Sequence, residues 1–113
     1  MKFSVSQQGT VTVISLQGSA LGGPDATSLN SRLHDLMSAG KKHVVLDLGG
    51  VDIMNSSGLG MLIGSASTLK NAGGSLKLAC ASEKILALIK ITKLTSVFEH
   101  FDSVKAAVVS FRA

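Results

Sequence analysis

Two adjacent hydroxyl side chains and two glycines are concentrated in one short segment, residues 55–60, which reads Asn-Ser-Ser-Gly-Leu-Gly. The segment lies between an apolar run typical of a strand and a pattern typical of a helix. The first N–H groups of a helix lack partners within the helix and lie at its positive end, so they favour hydroxyl caps and anions. This position predicts an exposed serine that is suited to carry a phosphate. The simpler alternative is that Ser56 or Ser57 only caps the helix, while the glycines allow a tight turn.

The strands predicted from the sequence place this segment at one edge of a mixed sheet. Alternating residues near the N-terminus predict a β-hairpin, and a nearly continuous apolar run predicts a central strand that helices cover on both faces. The expected strands are 3–5, 11–16, 44–48, 76–80 and, briefly, 97–101. Residues 18–23 and 49–54 are expected to form a loop and a turn.

Four helices are predicted between and after these strands. They run from Pro24 to Gly40, from the 55–60 segment to about Asn71, from Ser82 to about Ile91, and onward from Asp102 or Ser103. The alternating order predicts an α/β fold, with a mixed sheet of four to five strands, an N-terminal hairpin and about four helices packed against the sheet. In the second helix, Met61, Ser65 and Thr68 recur on a face separate from the inward apolar stripe, so we expect that face to be available to a partner.

Composition excludes several classes of protein. The chain has 113 residues, of which 45% are apolar and 16% charged, and this suits a single domain over residues 1–113. The net charge is +4, but the lysines are scattered and aromatic residues make up 4%, so no nucleic-acid partner is predicted. No apolar run reaches the roughly 18 residues that a membrane span needs, so we expect no membrane insertion and a cytoplasmic protein. Cys80, the single cysteine, is interpreted as a small hydrophobic residue at a strand end.

No catalytic residue or metal site is predicted, and no cofactor is expected. The Gly-x-Ser-x-Gly pattern of a nucleophile elbow is absent around Ser57. The histidines His34, His43 and His100 lie singly, whereas metal ligands are typically found in close pairs. A dinucleotide fingerprint would need a further glycine at position 63, where the chain has isoleucine. The sequence therefore does not predict an enzyme, and a small nucleotide-binding module is kept as an alternative.

The strand 44–48, the Gly-Val-Asp turn and the segment 55–60 with its helix resemble the signature of the STAS domain of anti-sigma-factor antagonists. The resemblance extends over essentially the whole chain. The family pattern is an acidic residue, Ser, Ser or Thr, and then Gly-Leu-Gly. In that family the hydroxyl residue directly before Gly-Leu is phosphorylated by the partner anti-sigma factor, which is itself a serine kinase. The resemblance therefore implies that Ser57 is the phosphoacceptor.

Partner switching is the mechanism that this resemblance implies. The unphosphorylated antagonist binds the anti-sigma factor and so releases a sigma factor for transcription, phosphorylation dissolves the complex, and a serine phosphatase would reset the switch. The residues that we expect to form the partner-binding surface are Asn55, Ser56, Ser57, Gly58, Leu59, Gly60, Met61, Ser65 and Thr68.

Two positions depart from the family pattern. Asn55 occupies the place of the usual acidic residue, and Gly22 follows Leu21 where a second Asp is common. The loss of both acids is expected to alter how the kinase and its metal-bound nucleotide are received. The alternative within the family is an interaction subunit of another assembly, for stress sensing or lipid transport, that works without phosphorylation.

Overall fold

The computed structural model describes residues 2–20, 24–91 and 98–111. Within these residues the chain forms five strands and four helices. In chain order they are β1 (Lys2–Gln8), β2 (Val11–Ala20), α1 (Pro24–Ser38), β3 (His43–Met54), α2 (Ser56–Asn71), β4 (Ser75–Ala79), α3 (Glu83–Ile91), β5 (Glu99–Phe101) and α4 (Val104–Ser110). The predicted positions 21–23, which include Gly22, and Val97 lie outside the described residues.

One mixed sheet carries the five strands in the order β1-β2-β3-β4-β5. β1 is antiparallel to β2, and each later neighbour pair is parallel. This arrangement confirms the predicted α/β fold with its N-terminal hairpin. Parallel strands deliver their carboxyl ends to the same edge, so the end of β3 and the start of α2 lie at the edge where α/β proteins usually form their sites.

The two central strands are longer than the sequence predicted. β2 continues to Ala20 and β3 continues to Met54, so residues 18–20 of the expected loop and residues 49–54 of the expected turn belong instead to paired strands. Gly50 makes this close approach possible, because a Cβ there would lie 2.8 Å from the carbonyl oxygen of Leu16. The turn expected at residues 49–54 was wrong because Gly49-Gly50 is a turn signal locally, and strand pairing between distant segments overrode it.

Helices cover both faces of the sheet. The larger core lies between the sheet and α1, α2 and α3, and its fully buried members are Ile14, Leu16, Leu29, Leu33, Val44, Leu46, Leu48, Leu62, Leu69 and Leu78. A smaller core lies beneath α4 and contains Val11, Val13, Val45, Ala79, Ala107 and Val108. Because β3 contributes to both cores, the predicted two-sided burial of this strand is confirmed.

Helix boundaries follow the capping signals read from the sequence. Gly40 adopts φ +78° just beyond α1, and Gly73 adopts φ +81° beyond α2, a left-handed conformation that glycine reaches without steric cost. Ser82 accepts the N–H of Ile85 at 3.3 Å, and Ser103 accepts the N–H of Ala106 at 3.1 Å. No helix in the described ranges is long and apolar enough to cross a membrane.

Cys80 follows β4 directly and adopts a backbone φ of +62°, which is uncommon for residues other than glycine, asparagine and aspartate. Its N–H donates to the carbonyl of Phe101 at 3.0 Å, which ties the end of β4 to β5. Burial raises the pKa of the Cys80 thiol, and the negative charge of Asp47 raises it further. The thiol therefore stays protonated at neutral pH, as expected for a cysteine that serves as a small hydrophobic residue.

Candidate functional site

The junction between β3 and α2 is closed by an asparagine cap. Asn55 lies between the two elements with φ −107° and ψ −175°, and its Oδ1 accepts the N–H of Gly58 at 2.9 Å. Its main-chain carbonyl also accepts the N–H of Leu59 at 2.9 Å. The alternative that Ser56 or Ser57 caps the helix is therefore wrong. Asparagine and serine are both good caps, so sequence alone could not choose among these neighbours.

Ser57 is exposed in the first turn of α2, where it is the second helical residue. Because Asn55 makes the cap bond, the exposed Ser57 hydroxyl is not the cap of α2. The first turn of α2 carries no acidic side chain that would oppose a bound anion. A phosphate on Ser57 would therefore lie at the positive end of the helix dipole without competing negative charge from that turn.

A groove of about 590 Å³ runs between α1 and α2, and Ser57 lines one part of it. The residues that line this groove are Ala26, Thr27, Asn30, Ser57, Gly60, Met61, Gly64, Ser65 and Thr68. None of these lining residues carries a charge. The described lining of the groove is thus neutral in a chain with a net charge of +4, and a phosphate on Ser57 would be the dominant charge among these residues.

The predicted partner-facing helix surface is only partly exposed. Met61 and Ser65 retain 6% and 4% of their accessible surface, so the expectation that both stand on an open face is wrong. They form the floor of the groove, where the Ser65 hydroxyl donates to the carbonyl of Met61 at 2.9 Å. Thr68 is half-buried. The reason is that α1 lies alongside α2 and covers this face, which periodicity within α2 could not reveal.

Of the remaining residues predicted for the site, some are exposed next to Ser57 and others are buried. Asn55, Ser56 and Gly60 are exposed beside Ser57, so the structure brings these four together at one surface. Gly58 and Leu59 are buried, and Leu59 belongs to the larger core. These two residues therefore position the first turn of α2 and do not themselves offer a contact surface.

Gly64 is a groove residue that the sequence analysis missed. A Cβ built at Gly60 or at Gly64 would meet no atom within 4 Å, so packing inside this chain does not require glycine at either position. Glycine in a helix interior costs about 1 kcal/mol relative to alanine. The available signal was the Gly-x-x-x-Gly spacing, which places both glycines on one face of α2.

A model of the STAS domain family matches residues 2–107. The chain belongs to the STAS domain family. BtrV of Bordetella bronchiseptica, named as an anti-sigma factor antagonist, is 28% identical over 112 residues, which are 99% of this chain and 96% of BtrV. The fold also matches a solved Thermotoga maritima protein that is described as an anti-sigma factor antagonist, with TM-score 0.85, 20% identity, and coverage of 98% of this chain and 95% of that one.

The Bacillus cell fate determinant SpoIIAA, solved in its phosphorylated form, shares the same fold. Its TM-score is 0.74 at 17% identity, with 98% of this chain and 100% of the SpoIIAA chain covered. The five-stranded sheet and the helices on its two faces are therefore the STAS architecture.

None of the three histidines of this STAS domain is among the described residues that line the α1–α2 groove. His43 stacks on Phe111 with ring centroids 4.9 Å apart, and the Nε2 atom of His100 accepts the N–H of Ala81 at 3.1 Å. His34 is exposed on α1. Throughout the described part of the chain, no group of three or more His, Cys, Asp or Glu side chains is placed to hold a metal ion.

Removing the cap of α2 should destabilise this STAS domain in a way that separates hydrogen bonding from charge. We expect Asn55→Ala to lower the free energy of unfolding by about 1 kcal/mol, because the Gly58 N–H loses its acceptor. Asn55→Asp retains an acceptor, adds a favourable charge at the helix start and restores the acid of the family pattern, so we expect no loss of stability. Urea unfolding would measure both variants.

Ser56→Ala is the matched control for the cap, because this residue is exposed and Asn55 makes the cap bond. We expect its free energy of unfolding to stay within about 0.5 kcal/mol of the unchanged protein. Equal stability of Asn55→Ala and the unchanged protein would contradict the assignment of the cap.

Proposed function

We propose that this STAS domain is an anti-sigma-factor antagonist that acts by partner switching, with Ser57 as the phosphoacceptor. The observation that carries the proposal is the exposed Ser57 hydroxyl, which is not used in the helix cap and opens onto a neutral groove. The antagonists among its relatives and structural neighbours support the same role. In this proposal the domain spans residues 1–113 and works in the cytoplasm, where it meets its sigma-factor pathway.

In the unphosphorylated state, an anti-sigma factor binds the surface formed by the start of α2 and the α1–α2 groove. The surface offers hydroxyl groups, two helical glycines and a floor of Met61 and Ser65, so the complementary surface of the partner should be uncharged and closely packed. Binding of the anti-sigma factor at this surface releases the sigma factor.

Phosphorylation of Ser57 dissolves the complex through charge and bulk. A phosphoserine adds about −1.5 to −2 charge and three acceptor oxygens. No lysine or arginine is among the described residues that line the groove, so the added charge would lose its water in the interface without a cation from that lining to compensate it. The positive end of α2 tolerates the phosphate in the free domain, so the modification breaks the interface while the fold persists. A serine phosphatase restores the binding state.

The lining of the groove favours Ser57 as a substrate of another enzyme over Ser57 as a catalytic nucleophile. A nucleophilic serine needs an adjacent general base, and the described residues that line the groove include no histidine, carboxylate, lysine or cysteine. The same lack of cations among the described lining residues gives little support to the nucleotide-binding alternative, because the several charges of a nucleotide's phosphates are usually matched by lysine or arginine side chains. We therefore propose a regulatory protein without enzymatic activity.

Phosphopeptide mapping tests the proposal directly. The domain would be incubated with ATP and the serine-kinase anti-sigma factor of the same organism, and then digested with trypsin. Ser57 falls in the tryptic peptide 43–70, so fragmentation must distinguish it from Ser56, Ser65, Ser67 and Thr68. We expect one phosphate, on Ser57.

Two single variants provide the controls for this mapping. Ser57→Ala should abolish the labelling of peptide 43–70, and Ser56→Ala should leave it intact. Label on Ser56, or label that survives Ser57→Ala, would refute Ser57 as the acceptor.

A further inference from the structure

β1 is a regular strand at one edge of the sheet, and it lacks the features that usually protect an edge strand from pairing with another chain. β1 pairs with β2 in unbroken register from Lys2↔Gln17 to Gln8↔Val11, and no described strand pairs with its other side. Natural sheets protect such edges with bulges, proline, several charges or a very short strand. β1 has seven residues, no proline, no bulge and one charged residue, at its first position. β5, at the opposite edge, has three residues and begins with a glutamate.

The sequence of β1 can pair antiparallel with a second copy of itself around its centre. It reads Lys-Phe-Ser-Val-Ser-Gln-Gln, so an antiparallel copy centred on Val5 places Ser4 opposite Ser6 and Lys2 opposite Gln8. No two like charges then face each other, and all seven residues enter the ladder. A centre moved to Ser4 or Ser6 would leave only five residues paired. Val5 keeps 44% of its surface exposed and would meet the Val5 of the second copy.

We propose that β1 pairs antiparallel with β1 of a second copy of this chain, about a two-fold axis at Val5. The two five-stranded sheets then form one continuous sheet, and the edge N–H and C=O groups of both copies gain partners. The axis is perpendicular to the sheet, because residues opposite each other in a ladder share a face. Helices α1, α2 and α3 of both copies therefore lie on the same side of the sheet.

This pairing is independent of the proposed phosphorylation switch. None of the residues that line the α1–α2 groove belongs to β1, so an anti-sigma factor and a second copy use different surfaces. Failure of dimerisation would leave the assignment of Ser57 untouched, and failure of phosphorylation would leave the β1 dimer untouched.

Analytical ultracentrifugation of the full chain over a range of concentrations tests the proposal. We expect a monomer–dimer equilibrium, with Val5→Lys weakening the dimer at least tenfold because two cations then face each other across the axis. Val109→Lys is the matched control, since Val109 is 50% exposed on α4, away from the edge, and should leave the equilibrium unchanged. A monomer at every concentration, or a dimer that Val5→Lys does not weaken, would overturn the proposal.

Disulfide cross-linking tests the register. In the proposed ladder, the two copies of Val5→Cys face each other within the range of Cα separations that a disulfide spans, about 4.4–6.8 Å. The two copies of Gln8→Cys lie six residues apart along the ladder, about 20 Å. Mild oxidation should therefore cross-link Val5→Cys efficiently and Gln8→Cys no more than the unchanged protein, which retains Cys80. Equal cross-linking of both variants would exclude the register centred on Val5.

Discussion

Ser57→Asp is expected to weaken binding of the anti-sigma factor by at least about 100-fold, which corresponds to about 3 kcal/mol. The aspartate would place a negative charge in an interface where the described residues of the groove include no cation, and an uncompensated buried charge costs several kcal/mol. Ser57→Ala removes only a hydroxyl, so we expect its affinity to stay within about threefold of the unchanged domain. Isothermal titration calorimetry with the purified anti-sigma factor would measure both.

The stability of the same variants separates loss of binding from loss of fold. An acidic residue in the first turn interacts favourably with the helix dipole, so Ser57→Asp should raise the free energy of unfolding by about 0.3–1 kcal/mol. Ser67→Asp is the binding control, because Ser67 is exposed on α2 and does not line the groove. We expect Ser67→Asp to bind normally. Normal binding by Ser57→Asp would show that Ser57 lies outside the interface.

Alanine at Gly60 and Gly64 is expected to stabilise the domain while weakening its complex. Each substitution should raise the free energy of unfolding by up to about 1 kcal/mol, since a Cβ meets no atom within 4 Å at either position and alanine is the better helix former. In the complex, each added methyl group occupies the space through which the partner approaches α2. We expect each variant to bind at least about tenfold more weakly, which corresponds to about 1.4 kcal/mol.

Thermal unfolding and calorimetric binding, measured on the same samples, would show whether the alanine substitutions at Gly60 and Gly64 raise stability while they lower affinity for the partner. Ser67→Ala is the matched control, because it also raises helix propensity in α2 and does so outside the groove. We expect it to bind as the unchanged domain does. If both glycine variants bind at full affinity, the partner does not pack closely against this face of α2.

Much of the fold could be predicted from the sequence because the decisive signals are local. The apolar run at the start of β3 predicts that both faces of this strand are buried, without indicating which helices cover them. Gly40 and Gly73 end their helices because their left-handed backbone suits glycine, and Ser82 and Ser103 cap theirs through hydrogen bonds within three residues. The position of Ser57 in the first turn of a helix after a buried strand is local information of the same kind.

Other features depended on contacts between segments far apart in the chain. The ends of β2 and β3 are strands because they pair with each other, and Gly50 allows the two backbones to come close. Read alone, these segments resemble a loop and a turn. Met61 and Ser65 form the floor of a groove because α1 lies over this face of α2. The face mixes apolar and polar residues, so its sequence pattern did not indicate burial. The periodicity of apolar residues predicts which face of a single helix or strand is buried, but only tertiary packing decides which neighbour covers that face. The sequence alone therefore determined that the Ser57 hydroxyl lies in the first turn of α2. The tertiary structure determined the surface that surrounds this hydroxyl.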